Sequence, residues 1–405
     1  MKKNKLKLLF VAQDKYPPSR VDVSVLFHEK MISRGHKIDW LLQSEETIEK
    51  SSVVKWEKSN VYLGKTNNGE SFGSRLKKNI FRFLNDTRLL SLVKKNNYDF
   101  IIAKDIFFAA LLAIIASKLY KVRLIYWLSY PFPEAYYLAA KEGTARYPFL
   151  YLIRSYITKF FLYNIILKVY DHTFVQSEQM KKDIAAEGIA AEKMTSVPMG
   201  VSICRIPFFG YNRKEVVENN EKIILYMGTL DRTRRLEFVI RAFSLMLKQF
   251  RNARLIFVGG GEDVSDELFL KNEAKTIGLE DLIFFTGKLS QEDAWRYVKH
   301  SDVCVSPYFP TPVLNSTSPT KMIEYMAMGK AVVANDHPEQ SSVISESKAG
   351  ICVPYNEGAF AEAILYLLNN MEEAMDMGIR GRRYVEQYRD YEHIADIVET
   401  KLLQI

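Results

Sequence analysis

The chain has 405 residues, 48% of them hydrophobic, and a formal net charge of +8. This length exceeds one ordinary core, so two domains are expected, and the apolar content excludes a disordered or fibrous chain. Three scattered cysteines exclude a disulfide framework and point to a reducing cytoplasm, and no run of 18 uncharged apolar residues is available to span a bilayer.

The charge is unevenly placed. Residues 1–200 hold 32 Lys and Arg against 19 Asp and Glu, whereas residues 201–405 are net acidic. The first half is therefore expected to meet something anionic. Leu6–Ala12 is too short for a secretory h-region and reads as part of a first strand, Lys5–Ala12. A loop, Gln13–Arg20, a helix from about Val21 to Ser33 and a second strand, Lys37–Leu42, complete a βαβ opening. It has no G-x-G-x-x-G, so no dinucleotide is expected on this loop. Lys15 and Arg20 offer cations to an anionic acceptor or stand as a solvated rim. Residues 71–95 read as a basic amphipathic helix or pair of helices, with Arg75, Lys77, Lys78, Arg82, Arg88, Lys94 and Lys95 against Asp86 alone. Phe72, Leu76, Ile80, Phe83 and Leu84 recur along it at helical spacing. Tyr98–Ala103 is a strand ending in Lys104-Asp105. The helix Phe107–Leu119 and the strand Val122–Trp127 follow, and then the aromatic loop Trp127–Glu134. Strand C-termini are where α/β sheets hold ligands, so Asp105, Ser129 and Glu134 are acceptor-side candidates beside Arg20. The alternative is a purely structural loop.

Residues 143–170 contain no acid and interleave Arg146, Arg154, Lys159 and Lys168 with eight Tyr and Phe. That pattern suits an interfacial helix on anionic lipid, or a core helix covering the sheet. No nucleic-acid recognition module is evident, so no nucleic-acid partner is expected. His172–Gln176 is a strand, Ser177 caps a helix running to Glu187, and Met194–Val197 is a last short strand. The linker is placed between residues 201 and 221.

The second half restarts the rhythm. Strands are expected at Lys222–Met227, Arg254–Val258, Leu282–Thr286, Asp302–Ser306, Ala331–Ala334 and Gly350–Val353. Helices are expected at Leu236–Phe250, Asp263–Ile277 and Gln291–His300, with two helical runs after Met371. At Ser318-Pro319 a further helix opens, with Ser as N-cap and Pro in the first turn, and Met322, Ile323, Met326 and Ala327 form its apolar face. Its free N–H groups, Ser318 to Lys321, suit a phosphate, and Glu324 one turn in is placed for sugar hydroxyls. Gly228 lets a ligand approach the backbone, Arg234 and Arg235 supply cations, and Gly287–Leu289 offers bare backbone to a flat base.

The ordered segments YMGTLDRTRRLEFVIRAF, LIFVGGGE, IFFTGKLS and SPTKMIEYMAMGKAVVAND, preceded by FVQSEQMKKDI and VPMGV, resemble the retaining GT-B glycosyltransferases of family 4. The resemblance implies an α/β GT-B fold: two Rossmann-like α/β/α domains whose parallel sheets face a central cleft. It places an acceptor and membrane-facing domain at 1–200, a nucleotide-sugar domain at 201–385 and a crossing-back helix at 386–405. It implies retaining transfer of a sugar from a nucleotide-diphosphate sugar to a lipid-linked or polysaccharide acceptor in cell-surface glycan synthesis. The enzyme would be peripheral on the inner face of the plasma membrane. Arg235, Arg234, Glu324 and Lys321 take the catalytic positions. Gly228, Thr229, Gly287, Lys288, Leu289, Ser316, Ser318, Pro319 and Thr320 take the donor-binding ones. Thr229 stands where the family usually has an arginine, and Ser316 where it has a glutamate, the hydroxyls of Asn315–Thr320 with Lys321 being the substitute. No histidine occurs near Trp127–Ser129. With no D-x-D anywhere, neither metal nor cofactor is expected. A degenerate non-catalytic subunit and a GT-B sugar-nucleotide epimerase remain the alternatives.

Overall fold

Continuous apolar runs, rather than alternating ones, mark strands covered on both faces by helices. Two such sheets form. A computed structural model describes residues 5–67, 69, 72–210, 221–261 and 263–405. The side chains of Phe72, Arg75 and Leu76, residues 211–220 of the expected linker, Ser71 and Glu262 lie outside the described residues.

The first compact unit comprises residues 1–198 and 391–405, and the second residues 199–390. The chain thus divides at 198/199 and 390/391, against the expected 200/201 and 385/386. In the first unit the strand order is β3-β4-β2-β1-β5-β6-β7-β8. Its strands are β1 (Lys7–Tyr16), β2 (Lys37–Ser44), β3 (Ser52–Trp56), β4 (Ser59–Leu63), β5 (Phe100–Lys104), β6 (Arg123–Leu128), β7 (His172–Val175) and β8 (Met194–Ser196). All neighbours are parallel except the β3–β4 hairpin at the edge. The helices are α1 (Phe72–Lys95), α2 (Phe108–Tyr120), α3 (Phe132–Lys141), α4 (Pro148–Phe161), the short α5 (Leu167–Val169) and α6 (Glu178–Ala186). Ser177 caps α6 as expected, accepting from Met180 N at 2.9 Å.

The helix expected from about Val21 to Ser33 forms there, wound as a π-helix over Asp22–Met31. Two local readings need correction. The hairpin β3–β4 had no counterpart in the sequence reading. The expected loop to Glu134 becomes α3 from Phe132, with Pro133 in its first turn, where a missing N–H costs nothing.

The second unit carries six parallel strands in the order β11-β10-β9-β12-β13-β14. They are β9 (Lys222–Met227), β10 (Ala253–Val258), β11 (Ile283–Phe285), β12 (Val303–Ser306), β13 (Val332–Asn335) and β14 (Gly350–Val353). This is the doubly wound order, with its switch point between β9 and β12. The helices are α7 (Glu237–Leu247), α8 (Val264–Thr276), α9 (Gln291–His300), α10 (Pro312–Asn315), α11 (Thr320–Ala327), α12 (Pro338–Ser347), α13 (Glu357–Asn369) and α14 (Met371–Tyr388). The final helix α15 (Tyr391–Gln404) belongs to the first unit, where Tyr391, Ile394, Val398 and Leu402 join the core around Phe10, Phe27 and Trp40.

Candidate functional site

Everything expected to touch a donor lies at the C-terminal ends of β9, β10, β11 and β12. After β9 the chain passes Gly228 and Thr229, whose carbonyl accepts from Tyr226 Oη at 3.2 Å. It then makes a 3-10 turn, Arg232–Arg234, capped by Asp231. Arg234 and Arg235 diverge from this turn. Arg234 is half-buried, 3.6 Å from Asp231 Oδ2 and 5.7 Å from the centre of the Tyr308 ring. Burial works against its charge, but Tyr308, Tyr226 and Asp231 more than offset that, and the guanidinium stays firmly protonated. Arg235 is exposed, has a left-handed backbone at φ 54°, and lies over the Phe309 ring at 5.5 Å. Of the pair, Arg234 is the one built into the strand end.

Gly259, at the end of β10, has φ 126°, and a Cβ there would stand 2.1 Å from the Gly228 carbonyl oxygen. Thr286 Oγ1 accepts from Gly259 N at 3.2 Å and donates to Gly287 O at 2.8 Å, which fixes the turn before Lys288 and Leu289. Gly287 is itself left-handed at φ 68°, and Lys288 and Leu289 are exposed. The bare turn that would receive a flat base is thus tied to Gly259 at the end of β10, whose Cα faces the Gly228 carbonyl.

The segment after β12 is held from several sides. Asn335 accepts from Tyr308 N at 2.6 Å and donates to Tyr308 O at 2.9 Å. Thr311 caps one turn of helix, α10, in what was expected to be irregular chain. Ser316 is buried at the end of that turn. Thr317 Oγ1 donates to Leu314 O at 2.7 Å. Ser318 is not the N-cap of the next helix. Its Oγ donates to Glu339 Oε1 at 2.6 Å and accepts from Met199 N at 2.9 Å, and Arg389 closes the group at 2.9 Å from the same Glu339 oxygen. Pro319 occupies the N-cap position of α11, with no side-chain cap. The Thr317 and Ser318 hydroxyls are therefore taken up by the protein, and what remains for an anion is the free backbone N–H groups of the first turn of α11, Thr320 and Lys321.

Glu324 is buried, with Oε2 3.1 Å from Lys321 Nζ. Tyr325, one residue on, places α11 under β9, because its hydroxyl accepts from Met227 N at 2.6 Å. The Thr320–Glu324 turn and the Gly228–Arg234 turn are thus hung from the same strand end. The sequence reading missed His337. Its Nδ1 accepts from Glu339 N at 3.2 Å, so the proton sits on Nε2, 2.9 Å from Leu314 O. Burial pushes its pKa down to about 4, so the ring is neutral and ties α12 to α10. The signal was present as His-Pro ahead of an acidic residue, a helix-start pattern.

The first unit has its own switch point, between β1 and β5, and three of the four acceptor-side candidates gather there. Asp105, left-handed at φ 53°, accepts from Ser129 N at 2.8 Å and from Ser129 Oγ. Lys104 Nζ lies 3.1 Å from Asp14 and 3.6 Å from Asp105. Arg20 binds the buried Asp22 through Nε at 3.1 Å and Nη2 at 3.3 Å, and Asp22 also accepts from Trp127 Nε1 at 3.2 Å. Burial raises the Asp105 carboxyl, whereas at Asp22 the charges of Lys104 and Arg20 outweigh burial and keep it low. Asp14, Asp22 and Lys104 are members that the sequence reading did not select. Glu134 lies apart, on α3. It accepts from Tyr163 Oη at 3.0 Å, its other oxygen is buried with no hydrogen-bond partner among the described residues, and burial raises its pKa.

Two doubly wound units, each with charged side chains at its switch point, define the GT-B class. The structural neighbours agree. Sucrose-phosphate synthase from Thermosynechococcus elongatus superimposes with a TM-score of 0.73 at 18% identity over 98% of both chains. The HepE protein of Anabaena in complex with UDP and glucose superimposes with a TM-score of 0.69 at 14% identity over 99% of this chain and 100% of that one. The family model described as Glycosyltransferase Family 4 matches residues 25–205, and that described as Glycosyl transferases group 1 matches residues 210–384. The chain belongs to glycosyltransferase family 4. Among curated relatives, an alpha-monoglucosyldiacylglycerol synthase of Streptococcus pneumoniae is 23% identical over 71% of this chain and 63% of its own length. The amylovoran biosynthesis glycosyltransferase AmsK of Erwinia amylovora is 24% identical over 57% of this chain and 58% of its own. The chain thus spans less than two thirds of the length of these relatives.

Proposed function

We propose that the protein is a retaining, metal-independent glycosyltransferase. It would move a sugar from a nucleotide-diphosphate sugar to a lipid-linked or polysaccharide acceptor in surface-glycan synthesis, at the inner face of the plasma membrane. The observation that carries the reading is the paired arrangement at the end of β9, where a charged Arg234 stands on one side and the N-terminal turn of α11, pinned through Tyr325, on the other. The relatives named for glucosyldiacylglycerol and amylovoran synthesis, and the UDP-bound neighbour, support the substrate classes.

In this reading the base lies against Gly287–Leu289, Glu324 receives the ribose hydroxyls, and Arg234 with the Thr320 and Lys321 N–H groups receives the diphosphate. The bond from the sugar's anomeric carbon to the phosphate oxygen breaks as the acceptor oxygen forms its bond on the same face. The acceptor's proton passes to the departing phosphate oxygen. Negative charge grows on the diphosphate along this path, and fixed donors aimed at it lower the barrier without reorganising. The guanidinium groups take the part that a divalent ion plays where a D-x-D sequence is present. The test incubates the purified chain with UDP-, GDP- and ADP-sugars, with and without EDTA, and a lipid-linked acceptor extract. One donor is expected to raise the melting temperature and to release its nucleotide equally well in EDTA. No shift and no release with any donor would overturn the transferase reading, and loss of activity in EDTA would overturn metal independence.

A further inference from the structure

The helix α4 is apolar on the wrong side for a core element. Its buried set is a single residue, Ser155, which donates to Pro133 O of α3 at 2.8 Å. Phe149, Leu150, Ile153, Tyr156, Ile157 and Phe160 fall on one face of the helix, and all six are exposed, Phe149 at 73%, Tyr156 at 65% and Phe160 at 56%. The helix rests on α3 through Arg154 over the Tyr136 ring at 4.1 Å and Tyr151 edge-on to Tyr136 at 5.8 Å. Only beyond Phe161 does the chain turn inward through a π-helical turn, where Leu162, Tyr163, Ile166 and Leu167 are buried. The acid-free stretch therefore divides, its second half being core and its first half an outward apolar face.

α1 carries an exposed apolar group of its own. Ile80, Phe83 and Leu84 are exposed one helical turn apart, and Phe83 stacks on Phe108 at 4.0 Å. Beside the α4 face stand the exposed cations Arg146 and Arg154, while Lys159 is held by Glu187 at 2.6 Å. The core of a protein–protein interface is depleted of charge. Here cations are interleaved with aromatic side chains on a helix that lies flat on the unit, the arrangement suited to the headgroup and acyl boundary of an anionic membrane.

We propose that the outward face of α4 is a docking surface for an anionic phospholipid bilayer. It deepens the reading of the protein as a transferase for a lipid-linked acceptor, and its test is independent of that activity. α3, on which α4 rests, follows the end of β6, where Ser129 of the Asp105 cluster also lies.

The full-length protein is sedimented with vesicles of phosphatidylcholine containing phosphatidylglycerol, and with pure phosphatidylcholine vesicles. The wild type is expected to pellet with the anionic vesicles and to bind neutral ones roughly tenfold or more less tightly. Phe149→Ser, Tyr156→Ser and Phe160→Ser combined are expected to weaken anionic binding by about tenfold or more, at an unchanged melting temperature, because these side chains are exposed. The pair Arg146→Glu and Arg154→Glu is expected to weaken it to a similar degree. The thermal shift with a nucleotide sugar, read on the same variants, reports the donor site alone, so failure of the transferase reading and failure of membrane docking are told apart. Absence of wild-type binding to anionic vesicles, or full binding by the triple-serine variant, would overturn the proposal. So would a wild-type dimer that the same substitutions dissociate while vesicle binding is untouched, which would make this face a protein interface.

Discussion

Arg234 and Arg235 are adjacent in the chain yet differently placed. The left-handed backbone at Arg235 turns its side chain over Phe309, whereas Arg234 points back toward Tyr226 and Tyr308 at the strand end. Arg234→Ala is therefore expected to lower kcat by about 100- to 1,000-fold, the usual loss of one oriented donor to developing charge, and Arg235→Ala by much less. Equal losses from the two would refute the distinction. Arg234→Lys restores charge without the planar fork and is expected to recover little. Glu324→Ala removes a charge-assisted acceptor of about 1.5–3 kcal/mol, and is expected to raise KM for the donor roughly 10- to 100-fold. Wild-type kinetics would remove Glu324 from the site. Asp86 offers a prediction on stability instead. Burial pushes its carboxyl up to about 6, with Arg82 opposing, against an ordinary value near 3.8. The folded state then holds this proton more tightly than the unfolded one, so the group costs stability above pH 6 and the cost disappears as pH falls toward 4. Asp86→Asn is expected to stabilise the protein by about 1–3 kcal/mol at pH 7.5 and to have little effect near pH 4. Calorimetric melting at both pH values checks this, and an equal gain at the two would show that the carboxyl's charge is not the cause.

At the scale of elements, glycines and capping side chains decide where the site's turns lie. A Cβ at Gly259 would stand 2.1 Å from the Gly228 carbonyl oxygen, and φ 126° is strained for any L side chain. Gly259→Ala is thus expected to spread the ends of β9 and β10, lowering the melting temperature and weakening nucleotide binding together. Loss of one without the other would separate the turn from the site. The same scale shows what the sequence made legible. β5 and β12 are buried at every residue, and such runs announce themselves by composition. The helix starts at Ser177 and Asp263 are local hydrogen-bond patterns and were equally plain. Ser318 looked like the same kind of cap, but its hydroxyl is claimed by Glu339, 21 residues on, and the Arg389 beside it comes from further still. No local pattern carries a competition of that range. The hairpin β3–β4 escaped notice because β3 is an edge strand with partly buried side chains and little apolar contrast. The acceptor-side cluster was half legible. Asp105 and Ser129 sit at strand ends, where ligands are expected, whereas Asp14, Asp22 and Lys104 are drawn in by charge pairing across β1, the π-helix and β5.

At the scale of the whole molecule, the first unit is not a continuous piece of chain. After Asp390 the chain returns to it as α15, whose Tyr391, Ile394, Val398 and Leu402 are buried with Phe10, Phe27 and Trp40. Polar contacts hold the helix to the π-helix and to the turn after it. Lys30 meets Glu392 at 2.6 Å, Arg34 meets Glu399 at 2.7 Å, and His36 meets Glu399 at 2.8 Å. Each large apolar side chain in this set contributes about 1.5–3 kcal/mol by leaving water, so four of them weigh heavily against a typical domain margin of about 5–15 kcal/mol. The ion pairs are partly exposed and contribute far less. A chain stopped after Asp390 is therefore expected to lose the cooperative melting of its first unit while the second, which contains every donor-side residue named here, keeps its fold and its nucleotide-sugar thermal shift. Double substitution Ile394→Asp and Val398→Asp in the full-length chain should reproduce the loss, whereas Glu392→Gln should not. If the truncated chain melted like the wild type, α15 would be an appendage of the first unit rather than part of its core.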